Sequence, residues 1–200
     1  MLIDLDKNAL AFLSDTSPML LKKKIIQSFE SAFEQIALAI AQKSEWNNLN
    51  VNKQWVNKSG KISKGENHQD LPFVVLDTPF YLFEKDFLLC RTMFWWGKYC
   101  SISLIIKGEF FEHSFNAALQ MLKQNDHQAL MLLQTSDLWN NDLETENYIQ
   151  ADQETAQLIW SKHRHFKLSK RIPFSELNSM PFICLEFVEK WIFATRLLQQ

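Results

Sequence analysis

The stretch Phe87–Gly108, FLLCRTMFWWGKYCSISLIIKG, constrains the fold more than any other part of the chain. Two runs rich in β-branched and aromatic residues flank Gly97-Lys98, a pattern that predicts a β-hairpin over residues 87–107. Its meaning depends on register, because a one-residue slip moves every side chain to the other face. A two-residue Gly97-Lys98 loop pairs Trp96 with Tyr99 and Thr92 with Ser103, and leaves Arg91 beside Leu104 on an aliphatic face. A guanidinium buried there is costly unless it is paired. A three-residue Trp96-Gly97-Lys98 loop pairs Trp95 with Tyr99 instead. Cys90, Thr92, Phe94, Cys100, Ile102 and Leu104 then form a clean core face, with Arg91, Met93, Trp95, Tyr99, Ser101 and Ser103 on the other. Burial favours this second register.

The second face combines rings, hydroxyls and one fixed cation, the composition of a small-molecule site. In that reading Arg91 pairs with a ligand carboxylate, Trp95 and Tyr99 supply contact area, and Ser101 and Ser103 set orientation. Asp77, at the turn that ends LPFVVL, is the acid best suited to pair with Arg91. A further layer of core laid over the same face is the plainer account of the pattern and comes first, with the binding floor second.

The elements around the hairpin follow from periodicity. Leu21, Ile25, Phe29, Ala32, Phe33, Ile36 and Ile40 recur at helical spacing behind Ser17-Pro18, which predicts a long helix to about Lys43. Residues 45–70 are rich in Asn, Lys, Gly and Ser and read as a polar, flexible loop. LPFVVL (71–76), FYLF (80–83) and ALMLL (129–133) read as strands, and residues 134–150 as a polar loop. Helices are expected over 111–122, behind Asp152 to Trp160, and from about Pro181 to Leu198. HRHFKLSKRIPF (163–174) has the basic residues of a guarded edge strand. Strands gathered in the middle with helices at both ends argue for a single α+β domain with a largely antiparallel sheet.

Composition excludes several chemistries. Only four glycines are present, Gly60, Gly65, Gly97 and Gly108, and they form no phosphate-cradling loop. No cofactor is expected. Cys90, Cys100 and Cys184 form no CxxC and sit in apolar runs, so a reducing, cytoplasmic setting is expected. No apolar run approaches the roughly 20 residues of a membrane helix.

Three function classes fit what is left. The first is a binding protein that holds a small apolar-acidic ligand or a protein partner on the mixed hairpin face, with self-association through a sheet edge open to it. The second is a hydrolase-like or metal-assisted enzyme drawing on His163, His165 and the acids Asp137, Asp142, Glu144 and Glu146. Lys162, Arg164 and Lys167 beside those histidines would repel a cation, so no metal is assigned. The third is an anion or single-stranded nucleic-acid binder using Lys53, Lys58, Lys61 and Lys64 with Trp55. A formal charge of -2 argues against it.

Overall fold

A computed structural model describes residues 3–43, 60–108, 111–124 and 130–197. The chain is an α+β protein built on one antiparallel sheet. Two helices come first, α1 (Lys7–Ser14) and α2 (Ser17–Ala41). Four strands follow as a meander: β1 (Lys61–His68), β2 (Leu71–Phe83), β3 (Asp86–Trp95) and β4 (Tyr99–Lys107). Helix α3 (Glu112–Gln124), strands β5 (Leu130–Leu133) and β6 (Tyr148–Gln150) and helix α4 (Gln153–His163) come next. Strand β7 (His165–Ile172), a 3₁₀ turn (Phe174–Ser179) and helix α5 (Met180–Leu197) complete the order. The strands lie as β1-β2-β3-β4-β7-β5-β6.

The hairpin adopts the three-residue register. Trp95 pairs with Tyr99, Arg91 with Ser103 and Cys90 with Leu104. Gly97 sits at φ 72°, the left-handed conformation that glycine enters without a steric cost. Because side chains alternate, Cys90, Phe94, Cys100, Ile102 and Leu104 face a core shared with α2, α3, α4 and α5. Helix α2 contributes Phe29, Phe33 and Ile36 to that core, and Phe29 stacks on Phe94 with centroids 3.8 Å apart.

Three sequence expectations need correction. Residues 61–68, assigned to a flexible loop, form the edge strand β1, paired with β2 from Lys61↔Asp77 to His68↔Leu71. The remainder of that loop through residue 59, with Lys53, Trp55 and Lys58, lies outside the described residues. LPFVVL and FYLF are not two strands but one, β2, with a register shift between Asp77 and Phe80. β7 is no edge strand, for it lies between β4 and β5. Phe166, Leu168 and Ile172 enter the helix-side core, whereas His165, Lys167 and Ser169 are buried on the other side. Its basic residues signalled a second covered face, not a guarded edge.

Candidate functional site

The face of the sheet away from the helices carries rows of side chains at matching register. One row is polar throughout: Asp77 pairs with Arg91, Arg91 with Ser103, and Ser103 with Ser169. The neighbouring row runs Phe80, Leu89, Ile105 and Lys167. Residues 134–147, between β5 and β6, cross this face as a strap and bury Leu138 and Leu143 against Met93, Trp95, Tyr99 and Ile105. Trp95, Tyr99, Ser101 and Ser103 are thereby buried, Trp95 and Tyr99 at 1% exposure each. The expected binding floor is a packed layer.

The strap's many Asp and Asn residues have a local task. Asp137 Oδ1 accepts from Trp139 N, Asn140 Oδ1 from Asp142 N, and Asp142 Oδ1 from Glu144 N. These short Asx turns shape the segment without strand or helix ladders. The acids also meet basic residues of the sheet: Arg171 pairs with Glu144 at 3.0 Å, and Lys98 lies 3.6 Å from both Asp142 and Glu144. Asp137, Asp142 and Glu144 therefore serve the strap and its ion pairs.

Polar groups rising from the sheet hold the strap down. Lys167 Nζ donates to Leu138 O (3.0 Å), Asn140 O (2.5 Å) and Asn141 Oδ1 (2.9 Å). The Tyr99 hydroxyl donates to Asn141 O at 2.9 Å and accepts from Leu143 N at 2.7 Å. Tyr148 donates to Asn140 O at 2.6 Å. Burial, then the nearby Arg91 charge, pulls the Lys167 ammonium down to about 7, with Asp137 acting the other way. Burial raises both tyrosines well above their ordinary range. Sequence reading missed Lys167, Trp139 and Tyr148. The available signal was a lysine alternating with Ser169 and His165 opposite an apolar face.

Arg91 and Asp77 do pair, through Nε–Oδ1 at 2.7 Å and Nη2–Oδ2 at 2.8 Å. The Trp139 ring lies 4.8 Å from the guanidinium carbon and stacks on Phe87. The guanidinium is thus already engaged by a carboxylate and a ring. Removing one partner of a buried pair costs about 3–5 kcal/mol; with the Arg91 side chain 18% exposed, we expect about 2 kcal/mol for Asp77→Ala. Urea unfolding checks this, and Asp77→Ala/Arg91→Met should recover most of the loss. Equal stability of Asp77→Ala and wild type would show that water replaces the carboxylate fully.

The histidines do not assemble as a strand pair. His163 ends α4, Arg164 follows in the left-handed conformation, and His165 opens β7, with the two imidazoles stacked 5.0 Å apart. His165 Nε2 lies 3.1 Å from Thr135 O, and burial lowers its pKa. Among the described residues no group of three or more His, Cys, Asp or Glu is gathered to hold a metal. On β1, Lys64 pairs with Glu30 at 2.8 Å and Lys61 is exposed.

A different feature stands outside the packed fold. None of the residues in α1 is buried. Asp6 caps the helix by accepting from Ala9 N at 2.7 Å, so the helix has its own N-terminal signal but no core to join. Leu10, Phe12 and Leu13 on α1, and Met19, Leu20 and Leu21 at the start of α2, are all more than half exposed. Contiguous apolar residues left in water mark an interaction surface more often than a tolerated accident. The acidic start of the chain, with Asp4 and Asp6, belongs to this arm.

Fold and site together define an antiparallel α+β protein with one sheet face strapped shut and an apolar N-terminal arm. No protein-family model, curated protein or solved structure matches the chain.

Proposed function

We propose that the chain is a non-enzymatic interaction protein of the cytoplasm that engages a protein partner through the arm formed by α1 and the first turn of α2. The observation that carries this is the wholly unburied α1 with Leu10, Phe12 and Leu13 in water. An eight-residue helix is far below the length at which helices persist alone, so its apolar side needs tertiary or partner contacts. Three buried cysteines outside any disulfide suit a reducing compartment, and no described helix is long and apolar enough to cross a membrane. The hairpin face, which motivated a ligand reading, is closed by the strap, so the partner surface is assigned to the arm.

The test is a photo-cross-linker placed at Phe12 in the living source cell. We expect a covalent adduct to another polypeptide chain, lost when Leu10 and Leu13 are both changed to serine. Stability to urea should stay within about 0.5 kcal/mol of wild type in that double variant, because exposed positions lend little to the fold. Absence of any adduct at Phe12, with the chain folded and expressed, would sink this reading.

A further inference from the structure

A groove on the helical side answers the arm in kind. It lies between α2 and the corner where the 3₁₀ turn meets α5, and is lined by Ile25, Phe29, Ala32, Leu177, Met180 and Pro181, with Ser28 and Asn178 at its rim. It encloses about 450 Å³. The groove continues the apolar stripe of α2 that begins at the exposed Leu21, and Phe182, next to Pro181, is 68% exposed.

We propose that α1 of one copy seats in this groove on a second copy, and that the exchange is reciprocal, giving a twofold dimer. The inference rests on the reading of the arm as an interaction surface, and it names the partner. Three observations favour a second copy. First, charges match. The arm carries Asp4 and Asp6 at one end and Asp15 at the other, against Lys7 alone, whereas the turn that leads into the groove carries the exposed Lys23 and Lys24, beside Lys22, which pairs with Glu66. Acids at both ends of α1 place a carboxylate near those lysines in either direction of approach.

Second, the arm's own helix cannot occupy its own groove. Only Asp15 and Thr16 separate α1 from α2. Helices rise about 1.5 Å per residue, so α1 folded back through that link would lie beside residues 17 to about 24. It would stop short of Phe29 and Ala32. Third, exchange buries two arms and two grooves with one operation, the self-complementary arrangement that closes without forming filaments. The acidic arm is also a poor match for an anionic membrane surface, to which basic helices are drawn.

Engineered thiols give a direct test, because the native ones are buried: burial pushes Cys100 and Cys184 up to about 12 and Cys90 higher still. Phe12→Cys and Ser28→Cys proteins are mixed in equal amounts and mildly oxidised, and wild type is examined by sedimentation over a wide concentration range. The proposal expects a concentration-dependent wild-type dimer, and a 12–28 disulfide between chains in clear excess over 12–12 and 28–28 products. Leu10→Ser/Leu13→Ser should sediment as monomer while matching the unfolding curve of wild type diluted to its monomeric range. A wild-type monomer throughout the range overturns the proposal, as does a dimer without the 12–28 link. A Phe12→Cys/Ser28→Cys chain that closes on itself in preference to a second chain overturns it too. If Phe12 instead cross-links to a different protein in cells, the dimer fails and the interaction reading stands. If neither a dimer nor any adduct is found, both fail.

Discussion

Lys167→Met loses about 3 kcal/mol of stability and frees the strap while the helix-side core keeps its packing. The lysine is 1% exposed, and its three donors match three oxygens on residues 138, 140 and 141. A methionine fills the space and removes all three donors. Asn140 O keeps the Tyr148 hydroxyl, and each of the other two acceptors, left without a partner, costs about 1–3 kcal/mol. Two effects hold the total below the sum. Taking a buried amine out of the fold returns its desolvation penalty, and the strap's carbonyls recover water as the strap lifts. The local signature separates this from general destabilisation. Amide exchange should quicken over 136–147, where Leu143 N depends on the Tyr99 hydroxyl, and stay unchanged in α2 and β3. If Lys167→Met matched wild type in urea and in exchange, the lysine would be a passenger and the strap would rest on Leu138 and Leu143 alone.

That dependence explains why the hairpin was legible and its cover was not. Sequence favoured the observed register over its one-residue alternative without deciding it, because alternate residues in 90–94 and 100–104 then sort into an apolar set and a mixed set, and that pairing keeps Arg91 off the aliphatic face. Helices α2 and α5 were likewise visible, since Phe29, Phe33 and Ile36, or Phe187, Val188 and Trp191, recur at helical spacing. What covers the mixed face was hidden for a physical reason. Residues 134–147 have no period, and backbone carbonyls are most of what Lys167 and Tyr148 bind there, with Asn141 Oδ1 the one side-chain oxygen. Carbonyls are identical in every residue, so a sequence cannot mark which ones will be used.

β7 misled for the same cause. Lys167 and Arg171, on one side of the strand, look like the solvent side of an edge strand until a strap is available to pair with them. β1 was missed because KISKGENH is polar, and an edge strand needs backbone pairing on one side more than it needs apolar side chains. The arm was missed differently. α1 carries an ordinary acidic cap and amphipathic spacing, but its value as a surface lies in what it fails to touch, which only the fold reveals.

Stability should rise with pH from about pH 6 to about pH 8.5 and then turn over, with Lys167 responsible for most of the rise above neutrality. The sign follows from proton counts. Lys167 is near 7 in the fold and 10.5 in an unfolded chain, so between those values the unfolded state holds the extra proton. Raising pH through that window therefore favours the fold, at up to about 1.4 kcal/mol per pH unit for one group. His68 and His165, lowered from 6.5 mainly by burial, act in the same direction below neutrality: stability falls as they are forced to take protons. The buried groups that lose protons act oppositely. Cys90, Cys100 and Cys184 start from 9.0 and Tyr99 and Tyr148 from 10.0, all raised in the fold by burial, so the unfolded chain ionises first and stability drops at alkaline pH. Their onset sets the turnover. Between pH 7 and about 8.5 the lysine contributes about 1–2 kcal/mol, read from urea unfolding of wild type beside Lys167→Met, in which the rise should vanish. A flat wild-type profile across that interval would mean that the three oxygens hold the ammonium's proton as firmly as water does, and that the strap is fastened by a charged lysine at every physiological pH.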